Sequence, residues 1–284
     1  MKILFNVFGL HIYFFGLMIA LGLMVGIFMS YYEVKRKKLE TDRVFDIALY
    51  GMISAIVGAR IFYILFYDLS YYLKNPKDII FISEGGLSIH GALIGAFIFG
   101  FLYFRKHKLS FLQYADAIVP GIILGQGIGR VGCDVFGKVM NSTLPWGIER
   151  QGQLLHPTQV YEFILNYIVF YILWRKRKYI NYDGQLFIWY LVLFAINRSV
   201  VELFRYNPLI IGWLSISHLL SLGLILTAII VRVYISYRKK LNNSFSIENN
   251  SDITTGESAD WLKELLYVFI MISISILIFY FVQT

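Results

Sequence analysis

The sequence predicts an all-α, polytopic membrane helix bundle, and three observations point to it. Charged residues make up only 15% of the 284-residue chain while 58% are hydrophobic, too few charges for a surface that faces water all round. Eight apolar runs approach the roughly 20 residues that a spanning helix needs. Basic clusters follow every second run, the alternation that the positive-inside rule produces.

In chain order the expected spans are 10–31, 44–66, 87–104, 111–132, 159–174, 185–204, 213–237 and 265–281. The first run follows Lys2 and is too long for a signal-peptide core, so it reads as a permanent helix. The basic clusters at 35–38, 105–108, 175–178 and 238–240 come after the first, third, fifth and seventh runs. That order puts these connections in the cytoplasm and the N-terminus and intervening connections outside. Gly22 with Gly26, Gly91 with Gly95 and Gly121 with Gly125 are small residues four apart, the spacing that lets helix backbones approach in lipid. The glycines from Gly125 to Gly129 follow no strand, so helix packing explains them better than a nucleotide loop. The Asn-, Ser-, Thr- and Glu-rich segment after residue 241 reads as a flexible linker. The expected division is a seven-helix core at 1–240, a polar cytoplasmic linker at 241–260 and an additional spanning helix at 261–284.

The net charge of +8 raises nucleic acid as a partner. The basic residues are confined to short runs beside apolar stretches, with no face large enough to track a phosphate backbone, so nucleic acid is excluded. The single cysteine, Cys133, excludes a disulfide framework and a multi-cysteine metal site.

Charges inside membrane helices cost about 2.5–3.5 kcal/mol each on insertion scales, so their positions are informative. Asp46 and Asp116 fall toward cytoplasmic ends, whereas Arg60, His90, Arg130, Glu162, Arg198, Glu202 and Arg205 fall in outer halves or at outer ends. His156 and Lys138 belong to the connection between the fourth and fifth spans. Arg198, Glu202 and Arg205 share one helix face. They form either a self-compensating ladder or a pair of guanidiniums, oriented by the glutamate, that face an anionic ligand. Arg130 lies between glycines and either snorkels to the interface or meets a lipid headgroup. His90, in a glycine-rich entry to the third span, is either a general base or a structural donor. Spacing alone leads to an outer-leaflet phospholipid-binding protein with a transferase as one option. No Ser-His-Asp order or His/Cys metal spacing is present.

Several short motifs then combine: Phe15-Gly16-Leu17-Met18, Gly58-Ala59-Arg60, Gly86-Leu87-Ser88-Ile89-His90-Gly91, Gly125 to Gly132, Pro145-Trp146-Gly147, His156-Pro157-Thr158-Gln159-Val160-Tyr161-Glu162, and Arg198 with Glu202 and Arg205. In this order and spacing, from the first span through the seventh, the chain resembles the bacterial prolipoprotein diacylglyceryl transferase family. The resemblance implies transfer of the diacylglyceryl group from phosphatidylglycerol to the lipobox cysteine of a prolipoprotein signal peptide, at the outer face of the cytoplasmic membrane. It implies that Arg130 holds the phosphate, Arg198 stabilises the leaving group and His90 helps activate the thiol. Arg60, Gln126, His156, Glu162, Glu202 and Arg205 join Arg130 as substrate-binding residues. The expected partners are phosphatidylglycerol, the prolipoprotein and membrane lipid, with no cofactor and no metal.

The family signature runs Gly-Arg-x-Gly-Asn-Phe-x-Asn-x-Glu and ends in glycine. Here Cys133, Asp134, Phe136, Lys138 and Asn141 stand at the five positions after its opening Gly-Arg-x-Gly where the chain departs from it. Phe15 and Phe194 replace expected tyrosines, and Trp213 an expected glutamine. If the stretch is helical, Asp134 lies one turn before Lys138 and takes over part of the missing glutamate's role. Two other readings are a family member with another acceptor or lipid, and a non-enzymatic lipid-binding or transport protein. A transporter calls for broken helices and a repeat, and the sequence has neither.

Overall fold

In lipid every backbone N–H needs a partner within its own segment, so long apolar runs fold as helices. The computed structural model describes residues 2–7, 10–67, 69–80, 85–140, 144–206, 209–211, 214–241 and 260–283. The helices among them are α1 (Phe14–Arg36), α2 (Asp42–Tyr67), α3 (Leu69–Lys74), α4 (Ile89–Lys106), α5 (Phe111–Val131), α6 (Thr158–Lys176), α7 (Gln185–Glu202), α8 (Ile216–Leu241) and α9 (Asp260–Gln283). Among the described residues, α1, α2, α5, α7, α8 and α9 are long and apolar enough to cross a membrane. The remaining two expected spans are the 18-residue α4 and the 19-residue α6. Helix α6 is less apolar because it buries Thr158, Gln159, Glu162 and Asn166 inside protein. Residues 242–259 of the expected linker, Asn141, Trp213 and the side chain of His90 lie outside the described residues.

The first and seventh expected spans open in strand rather than helix, and the seventh becomes helical only at Ile216. Leu10–Tyr13 is not helical but forms strand β2, paired antiparallel with β1 (Ile3–Val7), and α1 starts at Phe14. Two more hairpins pair β3 (Ile148–Arg150) with β4 (Gln153–Leu155) and β5 (Leu209–Ile211) with β6 (Leu214–Ser215). Gln151 and Gly152 join β3 to β4, both at positive φ (52° and 74°), the two-residue turn whose twist matches antiparallel strands.

The chain divides into two compact units, Met1–Ser30 with Ala115–Thr284, and Tyr31–Tyr114. In the first, Gly22 and Gly26 of α1 meet Gly125 and Gly121 of α5, as their spacing predicts. A Cβ on Gly22 would stand 2.5 Å from the Gly125 carbonyl oxygen. Ile123, Phe163, Tyr167, Leu173 and Phe279 are fully buried in the core. The buried Tyr167 hydroxyl bonds Ser275 Oγ of α9 at 2.9 Å. Asp116, fully buried, accepts the Gly184 and Phe187 N–H groups at 2.8 Å each. Its charge thus sits on the unpaired donors that open α7.

In the second unit α2 and α4 pack through Gly58, Gly91 and Gly95, where a Cβ on Gly91 would collide with the Gly58 carbonyl. Helices α1 and α4 end alike. Lys38 and Lys108 take the left-handed conformation, and the Leu39 and Leu109 N–H groups close on the Val34 and Phe104 carbonyls at 3.0 Å. These are Schellman-type ends built on lysine instead of glycine.

Candidate active site

Three helices of the first unit deliver charge to one place. Arg130 comes from the last turn of α5, Glu162 from the second turn of α6, and Arg198 and Glu202 from successive turns of α7. Arg205 follows directly, its N–H bonded to the Glu202 carbonyl at 3.1 Å. Glu162 is the common partner: Arg130 Nε lies 2.9 Å from Oε1, and Arg205 Nη1 and Arg198 Nη1 lie 3.7 and 3.9 Å from Oε2. Arg198 Nη2 also pairs with Glu202 at 3.2 Å. The Glu162 and Glu202 side chains are 8% and 2% exposed, against 33% for Arg130 and 22% for Arg198. The carboxylates are therefore at the back of the cluster and these two guanidiniums nearer its opening.

Among the described residues the cluster brings three guanidiniums to two carboxylates, and a buried charge left unmatched is expensive. Arg198 is oriented by Ser217, whose Oγ accepts from Nη2 at 2.8 Å. Glu202 is held by the Ser215 hydroxyl, which donates to Oε1 at 2.6 Å and lies 3.0 Å from His218 Nδ1. Arg198 Nη1 is buried and makes no hydrogen bond among the described residues, since Glu162 lies beyond hydrogen-bond reach. The cluster thus presents an oriented, unfilled donor suited to an anionic oxygen.

Gln126 lies one turn before Arg130 on α5. Its Nε2 reaches the Tyr190 hydroxyl at 3.5 Å, and its buried Oε1 has no hydrogen bond among the described residues. His156 Nδ1 is hydrogen-bonded to the Tyr161 hydroxyl at 3.1 Å, and that oxygen also accepts from Trp146 Nε1. Backbone bonds pair His156 with Gly137 and Lys138, and Lys138 N–H with the Phe204 carbonyl, so the 137–138 segment is tied to the chain entering Arg205.

Arg60 and His90 belong to the second unit. The Arg60 guanidinium donates to the carbonyls of Asp78, Ile79, Gly85 and Gly86 at 2.6–3.0 Å, which fastens the chain ahead of α4. His90 is on the first turn of α4. The expected pairing of Asp134 with Lys138 does not form, because residues 133–137 are not helical. Lys138 Nζ instead donates to the Leu203 carbonyl at 3.0 Å, and Asp134 accepts from Gln283. Cys133 is buried, with its Sγ 3.5 Å from Arg130 Nη1. Ser215, Ser217 and Tyr190 escape the sequence reading, since a hydroxyl carries no depth signal of its own.

Residues 2–234 match the family model of the prolipoprotein diacylglyceryl transferases, most of the chain. This chain belongs to the prolipoprotein diacylglyceryl transferase family. It is 35% identical to the phosphatidylglycerol–prolipoprotein diacylglyceryl transferases of Clostridioides difficile (strain 630) and Finegoldia magna. Each comparison covers 86% of this chain and 98% of the relative. A Bacillus cereus (strain G9842) protein of the same name is 34% identical, over 82% of this chain and 90% of its own. The charged cluster lies wholly within the matched transferase stretch, whereas α9 lies beyond it.

Proposed function

We propose that this protein transfers the diacylglyceryl group of phosphatidylglycerol to the lipobox cysteine thiol of a prolipoprotein, the first step of lipoprotein maturation. The thiol sulfur forms a bond to the glyceryl carbon next to the phosphate. The carbon–oxygen bond to that phosphate breaks, and glycerol phosphate leaves with the electron pair. Arg130, the more exposed guanidinium, holds the headgroup phosphate, and Arg198 meets the charge that grows on the leaving oxygen. Glu162 keeps the guanidiniums together so that they need no reorganisation during the reaction. His90 takes the thiol proton. The nucleophile comes from the substrate, so Cys133 takes no part in bond formation.

The observation that carries this reading is the convergence of Arg130, Arg198 and Arg205 on Glu162, with Arg198 Nη1 left without an acceptor among the described residues. On this reading the reaction takes place at the outer face of the cytoplasmic membrane. That orientation rests on the basic residues that close α1, α4 and α6, Lys35 with Arg36, Arg105 with Lys106, and Arg175 with Lys176.

The test combines purified full-length protein with phosphatidylglycerol vesicles and a synthetic lipobox peptide. The peptide should gain one diacylglyceryl group through a hydroxylamine-resistant thioether, with an equal amount of glycerol phosphate released. An unmodified peptide, under conditions where the Clostridioides difficile relative modifies it, would refute the proposal.

A further inference from the structure

Helix α9 lies beyond the family match, and a plain lipid anchor needs no polar contacts, yet it ends in Gln283, a polar residue that is buried. Gln283 is 7% exposed. Its Nε2 donates to Asp134 Oδ1 at 2.5 Å, while its Oε1 and backbone carbonyl accept from Arg150 Nη2 at 2.9 and 3.1 Å. Arg150 also lies over the Phe136 ring, 5.3 Å from its centre. One turn earlier on α9, the Tyr280 hydroxyl donates to the Trp146 carbonyl at 2.6 Å. The same amide thus ties Asp134, beside Cys133 and the loop that leaves α5, to Arg150 at the end of β3. A one-residue rotation of α9 would carry the Gln283 side chain about 100° round the helix and break both side-chain bonds.

We propose that Gln283 is a positioning residue for the transferase site. Through Asp134 and Arg150 it holds the segment that begins at Cys133, and thereby the Arg130 guanidinium that rests on the Cys133 sulfur. Arg130 itself is tied to Glu162, so loosening the segment shifts the guanidinium without removing it. The effect on catalysis rests on the phosphate-holding role proposed for Arg130.

Cys133 is the only cysteine and is buried, so its alkylation reports on this segment without any substrate. In the full-length protein, Gln283→Ala should raise maleimide labelling of Cys133 about tenfold and lower kcat per folded enzyme about fivefold, the scale of a small displacement at a catalytic group. Asp134→Ala should reproduce both changes, and the double variant should be no worse than either single, as coupled residues behave. Asp134→Asn keeps an acceptor oxygen and should restore both readouts. Glu264→Gln, which weakens the Arg175 ion pair near the other end of α9, should leave both unchanged. Unaltered labelling and kcat in Gln283→Ala would overturn the proposal, and so would equal changes in Glu264→Gln, which mark a general anchor. If Gln283→Ala does not fold, the two Asp134 variants decide. An inactive wild type would count against the transferase reading alone, because the labelling still reads the latch.

Discussion

At Lys138 the family signature has a glutamate, and the reversed charge lies in the loop that follows Arg130. The structure puts this ammonium on the Leu203 carbonyl, just past the end of α7. A cation on the open carbonyls of an exposed helix end contributes about 0.3–1 kcal/mol. Lys138→Ala is therefore expected to lower the melting temperature slightly and to leave the transfer rate within about twofold of wild type, as an exposed side chain with only this interaction should. A collapse of transfer at unchanged stability would put Lys138 in the site after all. The five clustered charges were legible because membrane depth sorts charged residues. Their hub was not, since nothing in the spacing distinguishes Glu162 as the carboxylate that all three arginines share. Asp134 and Gln283 are 149 positions apart, and no local pattern links an amide at the end of one helix to a carboxylate in a distant loop.

Among the elements, glycine spacing forecast two helix contacts, and the backbone geometry explains why. Gly125→Ala would put a Cβ 2.6 Å from the Gly22 carbonyl oxygen, forcing α1 and α5 apart, whereas a Cβ on Gly16 meets nothing within 4 Å. Gly125→Ala should destabilise the protein by about 1–3 kcal/mol, the usual range for overpacking. Gly16→Ala should be neutral or slightly stabilising. Thermal unfolding in detergent compares the two, and equal melting temperatures would show that the close approach is not required. The helices were readable from hydropathy because each run is long. The hairpins were not, since their strands are two to five residues long and sit among apolar residues that suit a helix equally well. The Gln151-Gly152 turn was the one available signal for β3 and β4. Helix α6 shows the converse: its buried polar face lowers its apolarity because it faces protein, not lipid.

At the scale of the molecule, the charged cluster is built from residues 130–217, all within one compact unit and all within the stretch that matches the transferase family. Helix α9, an added anchor by sequence alone, belongs to that same unit and joins its core through Tyr167 and Ser275. Hydropathy could give the order of the long helices but not this grouping, which depends on which helix faces meet. In the proposed mechanism the arginines gathered by Glu162 act on the lipid phosphate during transfer. The most direct test is the single-turnover transfer rate of Arg198→Ala, in phosphatidylglycerol vesicles with a lipobox peptide, at matched amounts of folded enzyme. Loss of an oriented donor to the leaving oxygen should cut that rate by about 10²–10³-fold. Arg198→Lys should recover only part of it, because an ammonium cannot reproduce the forked geometry. An Arg198→Ala rate within a factor of about two of wild type would rule this role out, since a donor that stabilises the transition state cannot be removed with so little effect.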